Sequence, residues 1–224
     1  VPPHPTTPLA TPEPHGFIYL GFQADQAPKG PHYRATPRRR QQALHLIEAA
    51  QSLERWPSIA SVRVFRTHLV PPLPGAPRHD LAMLLRTATV KDLAEVRNVA
   101  EVKALGGTEV LVGTNAARIG NTEADEESIF LLNHFTVAGD ANPVEVWRGL
   151  TDWYTSKIHV DNSTALRSVD AHSPFALVNY VRLPANPPSF LVNQLLRPSF
   201  HRVIRAALKE HQMRALPGFY RMIH

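Results

Sequence analysis

Two asparagines interrupt stretches of the chain that are otherwise apolar. Asn133 lies within IFLLNHFTV (129–137), and Asn179, followed by Tyr180, lies within FALVNYVRL (175–183). A buried carboxamide needs hydrogen-bond partners, which come from the backbone or from a bound molecule. Carboxamides, Tyr hydroxyls, Trp N–H groups and His side chains are also the groups that hold a substrate oxygen and steady a developing anion in an apolar pocket. Asn133 is the first candidate for chemistry, with a core asparagine satisfied by backbone as the plain alternative. Trp147 and Tyr154 are seven residues apart and share one face of a helical stretch that also holds Trp153. They are candidates to orient a substrate, against the alternative of helix-to-sheet packing. His201, shortly after Pro198, is the candidate proton acceptor, with a surface or capping histidine as the other reading. Neighbours on a strand point to opposite faces. Asn133 and His134 therefore part company, His134 going between two sheets, and only one of Asn179 and Tyr180 can share the side of Asn133.

Other chemistries find little support. The 224 residues contain no cysteine, which removes disulfides, thiolate catalysis and cysteine metal sites, and fits a reducing, cytoplasmic setting. The 12 histidines are not paired at metal-ligand spacing, so no metal site is expected. There is no GxSxG, HExxH, P-loop or GxGxxG pattern. The net charge of +5 is spread along the chain apart from Arg38-Arg39-Arg40, and no strand carries an RNA-binding aromatic signature, so no nucleic-acid partner is expected. No apolar run approaches the ~18–20 residues of a membrane span, and nothing resembles a signal peptide. The chain opens on Val1 rather than Met, which leaves room for an upstream segment. Asn162-Ser163-Thr164 matches a glycosylation acceptor, a pattern that also arises by chance.

The elements that must position these residues occur twice. Residues 1–15 are rich in proline and read as an extended arm, loose or laid across a neighbouring surface. Residues 16–120 then read strand (16–24), helix (37–55, opened by Pro37 and carrying Leu44, Ile47 and Leu53 on its apolar stripe), strand (59–70) and strand (80–89). A helix (90–105) stopped by Gly106-Gly107 and a strand (108–119) complete the unit. Pro71, Pro72, Pro74, Gly75 and Pro77 form an insertion too rigid for a tight hairpin. The polar, acidic residues 121–127 read as a linker. Residues 128–224 repeat the order: strand (128–137), helix (142–158), strands (163–169) and (175–183), a helical stretch (188–212) kinked at Pro198, and strand (215–223). Each unit is a ferredoxin-like βαββαβ arrangement. Its strands are apolar at both parities, so each sheet needs cover on both faces. Helices supply one cover and the second unit's sheet the other. The fold class expected is α+β, two tandem units packed sheet to sheet as an intrachain barrel.

The segments IFLLNHFTV (129–137), NPVEVWRGLTDWY (142–154), FALVNYVRL (175–183) and SFLVNQLLRPSFHRVIRAAL (189–208) resemble the antibiotic biosynthesis monooxygenase domains of the dimeric α/β-barrel superfamily. The resemblance covers 127–224 well and 16–120 only in element order. It implies a pocket between sheet and helices and a cofactor-independent oxygenase, or related cyclase or isomerase. The substrate would be a hydrophobic aromatic or polyketide-like molecule, with Asn133 and His201 catalytic and Trp147, Tyr154, Asn179 and Tyr180 binding it. Two alternatives stay open: a haem-binding or haem-degrading protein, with His201 near the ligand region of such relatives, and a non-catalytic binding or assembly module. Pairing of two chains also stays open. Aligning GFIYLGFQA with SIFLLNHFTV sets Gly21 against Asn133, and aligning LAMLLRTAT with FALVNYVRL sets Leu85 against Asn179. The first unit thus loses both amides, keeping Tyr19, His45 and His68 as polar residues with structural roles, and at most one working site per chain, in residues 127–224, is expected.

Overall fold

The computed structural model describes residues 7–123, 128–183 and 187–224. The start of the proline-rich arm, the centre of the linker and residues 184–186 lie outside them. The first half comprises β1 (Gly16–Phe22), α1 (Pro37–Leu53), β2 (Ile59–Leu69), β3 (Leu81–Thr87), α2 (Leu93–Asn98), α3 (Ala100–Ala104) and β4 (Thr108–Ile119). The second comprises β5 (Ile129–Val137), α4 (Pro143–Ile158), β6 (Ser163–Ser168), β7 (Leu177–Arg182), α5 (Pro187–Leu195), α6 (Ala206–Glu210) and β8 (Met213–Met222). Local chemistry fixes the helix starts: Thr36 and Asn142 accept hydrogen bonds from the amides of Arg39 and Val144, each with proline in the first turn. The helix expected at 90–105 is two short ones, parted at Val99, whose backbone is extended. On α1 the buried stripe is Leu46, Ala50 and Leu53, whereas Leu44 is exposed.

The eight strands close into one antiparallel barrel in the order β1-β3-β2-β8-β5-β7-β6-β4. Each half keeps the ferredoxin-like order, and the halves face each other as expected. Their edges are also joined, β2 to β8 and β4 to β6. Residues 7–15 pack against the barrel and α4. Ala10 bridges Arg118, Glu13 meets Arg86 (3.6 Å) and Arg118 (3.3 Å), and Thr7 reaches Thr155 on α4 (2.8 Å).

Strand alternation sends one set of side chains into the barrel and the other out to the helices. Phe17, Tyr19, Phe65, Phe130, Tyr180 and Tyr220 pack inside. His134 is inside too, between the sheets as expected and fully buried. Its Nδ1 donates to the Leu216 carbonyl (2.9 Å), which fixes the tautomer, so Nε2 accepts from the Tyr19 hydroxyl (3.2 Å), itself 3.3 Å from the Tyr220 hydroxyl. The apparent acceptor Asn162-Ser163-Thr164 is buried, and Asn162 is clamped to the backbone of Arg182 through both its amide atoms. It is not available for modification in the folded chain. No helix among the described residues is long and apolar enough to cross a membrane.

Burial depresses His134 to a pKa of about 4, with the Leu216 hydrogen bond opposing that shift. The unfolded chain binds this proton below its ordinary value of about 6.5, while the folded chain stays neutral until about 4. The stabilising contribution is therefore complete above that ordinary value and is lost as pH falls through this window. Denaturant titrations of wild type and His134→Gln at pH 7.5 and 4.5 should show wild type losing about 2–3 kcal/mol more than the variant.

Candidate functional site

Outside the barrel, the two halves treat the space under their helices differently. In the first half, Ile18, Leu20, Met83 and Leu85 point outward and are sealed by Leu46, Ala50 and Leu53 of α1, Val96 of α2 and Val102 of α3. In the second half the corresponding space is open, a cavity of about 910 Å³. Its floor is the outer face of β5, β7 and β8, and its walls are α4 and the helical stretch from α5 to α6. That stretch is broken at Leu196-Arg197, resumes at Pro198 and runs on as a π-helical segment, Phe200–Arg205, before α6. A proline break followed by a wider helical turn changes which faces can pack down, and π segments are frequent at functional sites. Pro71 and Leu73, from the proline-rich insertion of the first half, complete the rim.

Asn133 and Asn179 both face this cavity, and they are direct cross-strand partners. Opposed residues on antiparallel strands place their Cβ atoms roughly 5 Å apart, so the two carboxamides form one polar spot on an apolar floor. Their partners differ. The Asn179 oxygen accepts from the Ser163 hydroxyl on β6 (2.6 Å), which leaves its NH2 group for a ligand. The Asn133 oxygen is buried and has no hydrogen-bond partner. A buried carbonyl oxygen left unpaired costs about 1–3 kcal/mol. The Asn133 NH2 group is not buried and makes no hydrogen bond among the described residues, so it is the part of the carboxamide offered to the cavity.

Trp147 and Tyr154 line the wall from α4, one helical face as their spacing implies. Burial pushes the Tyr154 hydroxyl well above the ordinary tyrosine range, so it serves as a hydrogen-bond donor and not as a base. Trp153 lies beside them but its N–H is engaged by Ser199 (3.1 Å).

Two expected site residues fall elsewhere. Tyr180 points into the barrel, where it stacks on Phe130 (centroids 5.0 Å apart, planes 13° apart). Being next to Asn179 on a strand, it must face away from the cavity. His201 is exposed: its Nε2 meets the Leu195 carbonyl (3.0 Å), its Nδ1 lies 3.4 Å from Arg205, and it does not line the cavity. The π-helical turn carries Phe200 and Ile204 inward instead. A histidine-ligated haem does not fit these residues. Among the described residues lining the cavity there is no His, Cys, Asp or Glu; of the residue kinds that ligate haem iron, only Tyr154 and Met213 are present. Groups of acidic and His side chains able to hold a metal ion are also absent among the described residues.

The alignment of the first strands of the halves slips, whereas Leu85 faces outward as Asn179 does. Gly21 faces the barrel interior beside the His79 ring, which a Cβ at Gly21 would meet at 2.1 Å. A one-residue slip changes the face of every side chain. The outward residues of the first half are apolar in any register, so the loss of both amides there stands on Ile18, Leu20, Met83 and Leu85. Ser163 and the insertion residues Pro71 and Leu73 were not legible as site residues, because nothing in their local sequence states which surface they meet.

No protein-family model matches this sequence, and no curated protein is significantly similar to it. Solved structures are similar in shape. An anthrone oxidase-like protein matches over 97% of this chain and 95% of its own, with a TM-score of 0.62 and 11% identity. The fold is the dimeric α/β barrel, formed within one chain. A provisionally named chlorite dismutase matches over 94% of this chain and 95% of its own (TM-score 0.52, 7% identity). A provisionally named monooxygenase from Lactobacillus acidophilus NCFM matches over 93% and 94% (TM-score 0.50, 9% identity). At these identities the likeness concerns the barrel and its duplicated halves.

The unequal partners of the two amides give opposite expectations for stability. Asn133→Leu removes an unpaired buried oxygen and should raise stability by about 1 kcal/mol, whereas Asn179→Leu strands the Ser163 hydroxyl and should lower it by a similar amount. Urea midpoints of the two variants check this, and a destabilised Asn133→Leu would mean that the oxygen has a partner.

Proposed function

We propose that this chain is an oxygenase that takes a hydrophobic aromatic small molecule into the cavity of its second half and oxidises it with dioxygen. The single observation that carries this reading is the pair of cross-strand amides, Asn133 and Asn179, set in an apolar cavity of about 910 Å³. Shape similarity along the whole chain to an anthrone oxidase-like protein and to a provisionally named monooxygenase supports it.

With no carboxylate or imidazole among the described lining residues, the protein has no evident general base at the site. The substrate must supply its own acidity, as a phenol, an enol or a doubly activated methylene does. The amides then favour the anion: the NH2 groups of Asn179 and Asn133 donate to the oxygen on which charge develops. Tyr154 adds an O–H donor from α4, and the apolar walls exclude water and hold the ring plane. The carbanionic form gives electrons to dioxygen. One oxygen atom becomes a new carbonyl oxygen and the other leaves as water, so that R–CH2–R′ + O2 gives R–CO–R′ + H2O. A cyclisation or isomerisation through the same anion would use the same amides and consume no oxygen.

A panel of phenolic and anthrone-type aromatics assayed with an oxygen electrode separates these outcomes. Enzyme-dependent oxygen uptake, insensitive to chelators and reduced about 100-fold in Asn133→Ala, is the expected result. Tyr180→Phe and His201→Ala should retain turnover within about threefold, since neither lines the cavity. Unchanged uptake in Asn133→Ala would end the assignment of that residue, and conversion without oxygen uptake would end the oxygenase reading.

A further inference from the structure

The cavity's charged lining has one sign. Arg205, Lys209 and Arg214 line it, and no Asp or Glu does so among the described residues. Arg205 and Lys209 are four residues apart across the π segment and α6, hence neighbours on one helical face. Arg214, the second residue of β8, alternates with Met213 and Ala215 of the floor and turns instead to the insertion, donating to the Pro74 carbonyl (2.9 Å). None of the three makes a salt bridge with a carboxylate among the described residues. Cations on a solvated rim are common, and they are usually interspersed with acids. Here their potential adds at the mouth of a low-dielectric cavity, where field lines concentrate.

Their position relative to the amides matters as much as their sign. Asn133 is level with Pro217 on β8, and Val137 is level with Met213. Four strand residues separate those levels, about 13 Å along the strand. The cavity thus has an amide spot on its floor and a cationic pole toward the start of β8.

We infer that the ligand of this cavity is an amphiphilic anion: an aromatic body lying on the floor, with a carboxylate or another acidic substituent held at Arg205 and Lys209. This rests on the reading of the cavity as a substrate site and names the class of molecule it takes. The acidic substituent fixes which end enters first, so the reacting carbon is presented to Asn133 and Asn179 in one orientation. A neutral analogue would enter either way round.

Two fluorophores with the same aromatic body test it. 1-Anilinonaphthalene-8-sulfonate carries one negative charge, and N-phenyl-1-naphthylamine carries none. The sulfonate should bind at least fivefold more tightly to the intact chain, and raising salt from 0.05 to 0.5 M should weaken the sulfonate alone. Arg205→Gln/Lys209→Gln, at two exposed positions that do not threaten folding, should weaken the sulfonate about tenfold and leave the neutral probe within twofold. Ala215→Phe, which puts a ring on the cavity floor, should displace both. If the double variant leaves sulfonate affinity unchanged while Ala215→Phe displaces both probes, the anionic class is wrong and the cavity reading survives. If neither probe binds the intact chain, or Ala215→Phe displaces neither, the cavity reading fails and takes this proposal with it.

Discussion

Every other feature of this molecule depends on the closure of eight strands into one hydrogen-bonded ring. A ferredoxin-like sheet has two open edges, each a row of unpaired amides and carbonyls. Two such sheets in one chain can pair β2 with β8 and β4 with β6, and all four edges disappear. Closure also sets the faces. Once the inward side chains fill the barrel, the outward ones must be covered by helices, and that cover is where the halves diverge.

The divergence is a matter of packing volume. Both outer faces are apolar, and both have helices over them. In the first half, α1 and the short helices broken at Val99 pack with Ile18, Leu20, Met83 and Leu85 in one cluster and leave the sheet sealed. In the second, Pro198 and the π-helical turn after it set Phe200 and Ile204 against the cavity wall without closing it. The proline-rich insertion of the first half reaches the rim of the second half's cavity through Pro71 and Leu73. The sealed half is therefore both the partner that completes the barrel and a contributor to the other half's site.

The cavity is built to bind more than to transfer protons. Its amide pair offers donors without basicity, and its tyrosine is held protonated by burial. An unpaired buried carbonyl is a standing cost that natural cores avoid unless a ligand or a function accounts for it. On the proposed function, stability and activity are opposed at Asn133, while they run together at Asn179, whose oxygen already has Ser163 as a partner.

The sequence by itself determined the element order, the duplication and the barrel, because strand and helix periodicity are local and both parities of the strands are apolar. It also determined that Asn133 and His134 lie on opposite faces, since alternation along a strand is a property of the backbone. It singled out Asn133, Asn179, Trp147 and Tyr154, which do meet in one cavity. Alternation also allowed only one of Asn179 and Tyr180 there, and strand register decided for Asn179. Only the tertiary structure decided that His201 faces solvent, because its direction depends on a π-helical turn that no periodicity announces. It alone revealed Ser163 as the partner of Asn179, the reach of Pro71 and Leu73 across the halves, and the one-residue slip at Gly21. These are outcomes of register and of packing between residues distant in sequence, where a shift of a single residue exchanges inside for outside.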